Sequence, residues 1–174
     1  MDLYVRRRGI HDPHHPADAA RAAVICFSPT DADRLQLLRL LDGVDREALQ
    51  DDGTNYDGVT IVKPWGSEHQ LRYTSEFCIW HLEINEGHET SMHCHWRKTA
   101  VMEVQRRHVV LRLLGSEHIL LAGQCALIEP GVFHQTAAPV GALVSELEFP
   151  PNKQDLLRLR DRYGREGKGY ERCS

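Results

Sequence analysis

The chain contains no Cys-x-x-Cys pair; its five cysteines (Cys26, Cys78, Cys94, Cys125, Cys173) are odd in number and irregularly spaced. That excludes a cysteine zinc knuckle and leaves no disulfide framework, so reduced, mostly buried thiols are expected. There is no basic stripe. The 21 lysines and arginines are intermixed with 25 aspartates and glutamates for a net charge of -4, which argues against a nucleic-acid partner. No apolar run approaches membrane-spanning length, and the opening Met1-Asp2-Leu3-Tyr4-Val5 before three arginines has no apolar core of a signal peptide. A cytoplasmic protein without a membrane partner is expected.

What is present is enough for one domain: 174 residues, 41% of them hydrophobic. Residues 1–57 read as an N-terminal extension. Its His11 to Pro16 run, broken by prolines, reads as a solvated segment rather than a ligand cluster. Ala23 to Phe27 is a short apolar run, and a helix follows from Thr30 or Asp31, with Leu35, Leu38 and Leu41 sharing a face before Gly43. Another helical turn is expected over Asp45 to Leu49, then a polar linker. From 58 to 150 short β-type runs alternate with glycine, proline and asparagine punctuation, including separate strands over Val101 to Val104 and His108 to Leu114. Such spacing predicts an all-β barrel or sandwich. Residues 151–174 read as a short helix capped by Asn152, from Lys153 or Gln154 to Leu159, and a charged tail.

Within the β region, Gly87-His88-Glu89-Thr90-Ser91-Met92-His93-Cys94-His95 is answered by Pro130-Gly131-Val132-Phe133-His134. Alternate side chains of a strand share a face, so His93 and His95 point one way and Cys94 the other. Two imidazoles on one face are half a metal site, and His134, just past a Pro-Gly turn, is the candidate third ligand.

This pair of motifs resembles the cupin family: Gly87, His93, His95, Gly123, Gly131 and His134 fall in register. Ala100 or Thr99 stands where the family carries a ligand glutamate, Arg107 replaces a turn glycine, Glu129 a proline and Ala138 an asparagine. The resemblance implies a double-stranded β-helix, the jelly-roll cupin barrel, and dimers formed through edge strands. Lys63-Pro64-Trp65-Gly66 with Glu68, and the run Arg158 to Arg165, resemble more narrowly a group of small cupins of bacterial surface-sugar and nucleotide-sugar pathways, similar to the cupin domain of type II phosphomannose isomerases.

Three neutral imidazoles suit one divalent transition metal, Fe, Zn, Ni, Cu or Mn, without choosing among them. Catalytic roles fall to His81, on the strand before the histidine pair, and to Glu148, which shares a face of the last barrel strand with Val144 and Glu146. Arg72 and Lys98 are candidate anion binders and Trp80 a candidate stacking surface. His93, His95 and His134 are the expected metal ligands. The leading expectation is an isomerase or epimerase acting through an enediolate on a small-molecule substrate, a sugar phosphate or nucleotide sugar, in a homodimer. A three-histidine Fe(II) dioxygenase and a non-catalytic sugar-binding cupin stand as alternatives.

Overall fold

A computed structural model describes residues 24–51, 53–166 and 170, so the His11 to Pro16 run and Cys173 lie outside the described residues. In chain order the elements are β1 (Val24–Phe27), α1 (Asp31–Leu41), a 3-10 turn at Arg46–Leu49, β2 (Thr60–Lys63), β3 (Gly66–Tyr73), β4 (Cys78–Ile84), β5 (His88–Glu89), β6 (Met92–Cys94), β7 (Thr99–Leu113), β8 (Glu117–Leu121), β9 (Cys125–Ile128), β10 (His134–Ala138), β11 (Ala142–Phe149) and β12 (Leu157–Arg160). The main path runs β12-β6-β10-β7-β11-β4-β3-β2, with β8 and β9 added on β7, β5 on β10 and β1 on β9. This curled, mostly antiparallel sheet is the expected double-stranded β-helix.

Strand alternation decides what faces the interior. On β4, Cys78, Trp80, Leu82 and Ile84 are buried, while Ile79, His81 and Glu83 lie on the other face. The two strands expected over 101–104 and 108–114 are one, β7, with a parity change inside it. Ala100, Met102 and Val104 are buried in its first half, and Val109 and Leu111 in its second. Between them Arg107 has φ 67, the left-handed region, where a side chain costs about 1 kcal/mol relative to glycine. Here β7 passes from the β9 and β11 pairings to those with β8 and β10. Arg107→Gly is therefore expected to raise stability by up to about 1 kcal/mol in urea unfolding; a loss would show that the arginine side chain matters more than the backbone strain.

The segments flanking the barrel are bonded to it. β1 pairs in parallel with β9. Thr30 and Asp33 form a capping box on α1, and Asp33 Oδ1 also accepts the Phe133 N–H at 3.0 Å. That bond fixes the rotation of α1. Leu41 is buried with Leu37 and Leu40 packed beside it, against Met92, Cys94, Phe133 and Leu157, whereas Leu35 and Leu38 stay exposed; the apolar face expected on Leu35, Leu38 and Leu41 is thus turned by part of a turn.

No helix forms at the C-terminal side among the described residues, contrary to expectation. Asn152 Oδ1 accepts the N–H groups of Gln154 and Asp155 in a tight turn, and Leu157–Arg160 then continue as β12, paired with β6. No helix among the described residues is long and apolar enough to cross a membrane.

Candidate metal centre

The β6 strand delivers His93, and the residue that follows its end is His95; the two are separated by Cys94, which points into the cluster under α1. Burial there holds the Cys94 thiol above its ordinary range. β10 begins at His134, which pairs directly with His93. The three rings converge, with centroids 4.4 Å (His93–His134), 5.0 Å (His93–His95) and 5.4 Å (His95–His134) apart.

Their tautomers follow from the neighbouring hydrogen bonds. Nδ1–H of His93 donates to the Ser91 carbonyl at 2.8 Å, that of His95 to the Asp155 carbonyl at 2.7 Å, and that of His134 to the Val132 carbonyl at 3.0 Å. Each Nε2 is then left with its lone pair. One ligand nitrogen from each ring lies within 4.8 Å of the other two, and His134 Nε2 is buried with no hydrogen-bond partner. An orphaned buried acceptor aimed at two others of its kind is costly in a closed protein and is what a metal site requires. Burial pushes all three imidazoles down, His134 to about 4 and His93 and His95 well below the usual range, so they are neutral, as ligands must be. The residues fit a divalent metal held through three Nε2 atoms.

Asp155, fully buried, organises one side of this centre. Besides receiving His95, it accepts the N–H groups of Trp96, Arg97 and Lys98 on its carboxylate at 2.8, 2.8 and 2.9 Å. Asp155→Ala is expected to weaken metal binding by about 10–100-fold, measured by competition with a chromophoric chelator. Unchanged affinity would mean that His95 does not need this support.

Beside the triad stand charged groups of both signs. Lys98 Nζ lies 2.7 Å from Glu148 Oε1, both side chains almost fully buried. Lys153 Nζ is 3.7 Å from the same oxygen and 3.3 Å from Glu68. Lys63 lies 4.0 Å from Glu68, which also accepts the Tyr170 hydroxyl at 2.7 Å. Glu148 further accepts the Cys78 thiol at 3.3 Å. Burial opposes its charge, but Lys153 and Lys98 overcome this and hold its carboxyl down at about 2. Neighbouring Glu146 goes the other way, pushed up to about 7 by burial and by Glu148. The charged groups, unlike Cys78, line with the histidines a cavity of about 50 Å³, room for an ion and a few waters.

The residues selected from sequence separate cleanly. His93, His95, His134, Lys98 and Glu148 share this cavity. His81 does not: it sits on the outer face of β4, opposite Trp80 and Leu82. Arg72 is exposed, because a bulge between Gln70 and Arg72 turns it outward. Trp80 is fully buried in the core beneath Lys153, whose Nζ is 3.9 Å from the ring centroid, and does not line the cavity. Sequence reasoning missed Lys153, Arg158 and Tyr170 as lining residues. The Lys63-Pro64-Trp65-Gly66 run was the available signal for that wall, since Lys63, Trp65 and Glu68 all reach the cavity.

No protein-family model matches the chain, and no curated protein does. Solved structures do. KdgF from Halomonas sp. aligns with TM-score 0.50 and 18% identity over 59% of this chain and 94% of that one. An RmlC-like cupin from Shewanella frigidimarina aligns with TM-score 0.48 and 21% identity over 59% and 95%. A sugar phosphate isomerase of the cupin superfamily from Silicibacter pomeroyi aligns with TM-score 0.47 and 18% identity over 59% and 76%. The fold is that of the cupins, and the converging imidazoles make it a cupin-fold barrel with a candidate metal centre. At these identities the likeness defines the fold alone.

Proposed function

We propose that the chain is a metal-dependent sugar isomerase or epimerase acting on a phosphorylated or nucleotide-linked sugar. The observation that carries this reading is the juxtaposition of three Nε2 lone pairs with a buried lysine–glutamate pair in one cavity. A divalent ion held by His93, His95 and His134 would supply Lewis-acid polarisation of a carbonyl and its adjacent hydroxyl. Lys98 donates to the oxygen on which enediolate charge develops. As that hydrogen bond forms, Glu148 loses part of its partner, becomes a stronger base, accepts the proton from the adjacent carbon and returns it to the former carbonyl carbon, which completes the isomerisation and leaves Glu148 ionised again. His81, on the outer face, has no part in these steps. Lys153 and Arg158 border the cavity and match an anionic group.

Two measurements test the reading together: metal content after purification without chelator, and deuterium uptake from D2O into a panel of sugar phosphates and nucleotide sugars. About one metal per chain with exchange at the carbon next to the carbonyl supports it. Absence of metal after reconstitution with Fe(II), Zn(II), Ni(II) and Mn(II) overturns it. Iron with oxygen uptake and no exchange would instead favour the dioxygenase.

A further inference from the structure

The interior face of β7 brings no carboxylate toward the histidines: Ala100 opens it, followed by Met102 and Val104. The neighbouring strand carries two. In the β7–β11 pairing Glu148 lies directly opposite Ala100 and Glu146 opposite Met102, and paired residues of adjacent strands project to the same face. Both carboxylates reach His95, with one oxygen of each within 4.8 Å of a His95 nitrogen and of each other. Their surroundings differ. Glu148 is saturated by Lys98, Lys153 and Cys78, whereas the Glu146 carboxylate makes no hydrogen bond or ion pair with the described residues, although it lines the cavity.

Charge balance distinguishes them further. The Lys98 ammonium bears on all three imidazoles, and Glu148 offsets that one positive charge. A divalent ion added to three neutral imidazoles then has no compensating anion in a buried site, which is costly unless one is supplied. Glu146 is the carboxylate left to supply it.

We propose that Glu146, delivered from β11 in place of the acid absent from β7, is the fourth protein ligand of the metal. The inference rests on the three-histidine metal reading above. It leaves the Lys98–Glu148 pair to proton chemistry and makes the centre a three-histidine, one-carboxylate site assembled from three strand regions.

The test is titration of the apo chain with Co(II), followed by its visible ligand-field spectrum, on wild type, Glu146→Gln, Glu148→Gln and His93→Ala. Glu146→Gln, nearly isosteric, is expected to weaken Co(II) binding at least tenfold and to change band position and intensity at saturation. Glu148→Gln leaves Lys98 uncompensated, so it too weakens binding, yet it keeps the wild-type spectrum. Should Glu146→Gln not fold, Glu146→Asp, which keeps the charge but shortens its reach, is read through the same spectral shift. Binding by Glu146→Gln within twofold of wild type with an unchanged spectrum overturns the inference while the histidine site stands. Failure of wild type itself to bind Co(II) overturns the underlying metal reading.

Discussion

His134→Ala is expected to abolish metal binding while leaving the β-barrel folded and nearly as stable as the metal-free wild type. The loss follows from geometry: His134 faces His93 across the β6–β10 pairing and supplies one of three converging lone pairs. With two imidazoles remaining, affinity falls by more than the about 10–100-fold that even an outer-shell substitution costs. The small effect on the apo protein is a difference between opposing contributions. Removing the ring leaves a void, which is unfavourable, but it also removes a buried Nε2 that has no partner, an omission worth about 1–3 kcal/mol in its own right. Metal then separates the two proteins. At about a hundred times its dissociation constant it stabilises wild type by about 2.7 kcal/mol and the variant by nothing. Thermal melts with and without added metal, beside metal analysis, read both effects. A metal-induced shift retained in His134→Ala would remove this histidine from the ligand set.

Much of this centre was legible because it obeys local periodicity. His93 and His95 share a face by strand alternation, and the Pro-Gly turn before His134 starts β10 in register with them. Glu148 was reachable by the same parity, since Val144 and Glu148 are buried on β11 while Leu147 faces outward. The failures have local causes. His81 and Trp80 are adjacent on β4 and cannot share a face, and Arg72 follows a bulge that interrupts the alternation begun by Glu68 and Gln70. On β7 the left-handed Arg107 resets parity without the glycine that would announce it. The helix expected after Asn152 does not form because this residue closes a turn as readily as it caps a helix. Its consequence was the larger omission: Asp155, Arg158 and Tyr170 come to the site through β12 pairing and side-chain contacts distant in sequence, for which no short-range pattern exists.

Breaking the Lys98–Glu148 pair is expected to be the most destabilising single change in the cavity. With both side chains about 1% exposed, Glu148→Gln leaves an ammonium, and Lys98→Met leaves a carboxylate, without its closest counter-charge in a desolvated site. Each should cost about 3–5 kcal/mol, a fall in Tm of about 6–20 °C for a chain of this size. Lys153 moderates the second loss, because at 3.7 Å it still faces Glu148. The double variant Lys98→Met with Glu148→Leu should recover most of the loss, since neither charge remains to be buried; additive single effects would show that the partners act independently. The pH dependence has a definite sign. The Glu148 carboxyl is depressed from 4.5 to about 2 by the lysines, so its contribution is fully present above about pH 4.5 and is lost as pH falls through about 2. Wild type should therefore lose stability across that acid window, measured by chemical denaturation at a series of pH values, and Glu148→Gln should lose correspondingly less. Equal slopes would mean that the pair contributes little to holding the barrel, and would turn the argument for keeping two buried charges beside three imidazoles toward chemistry alone.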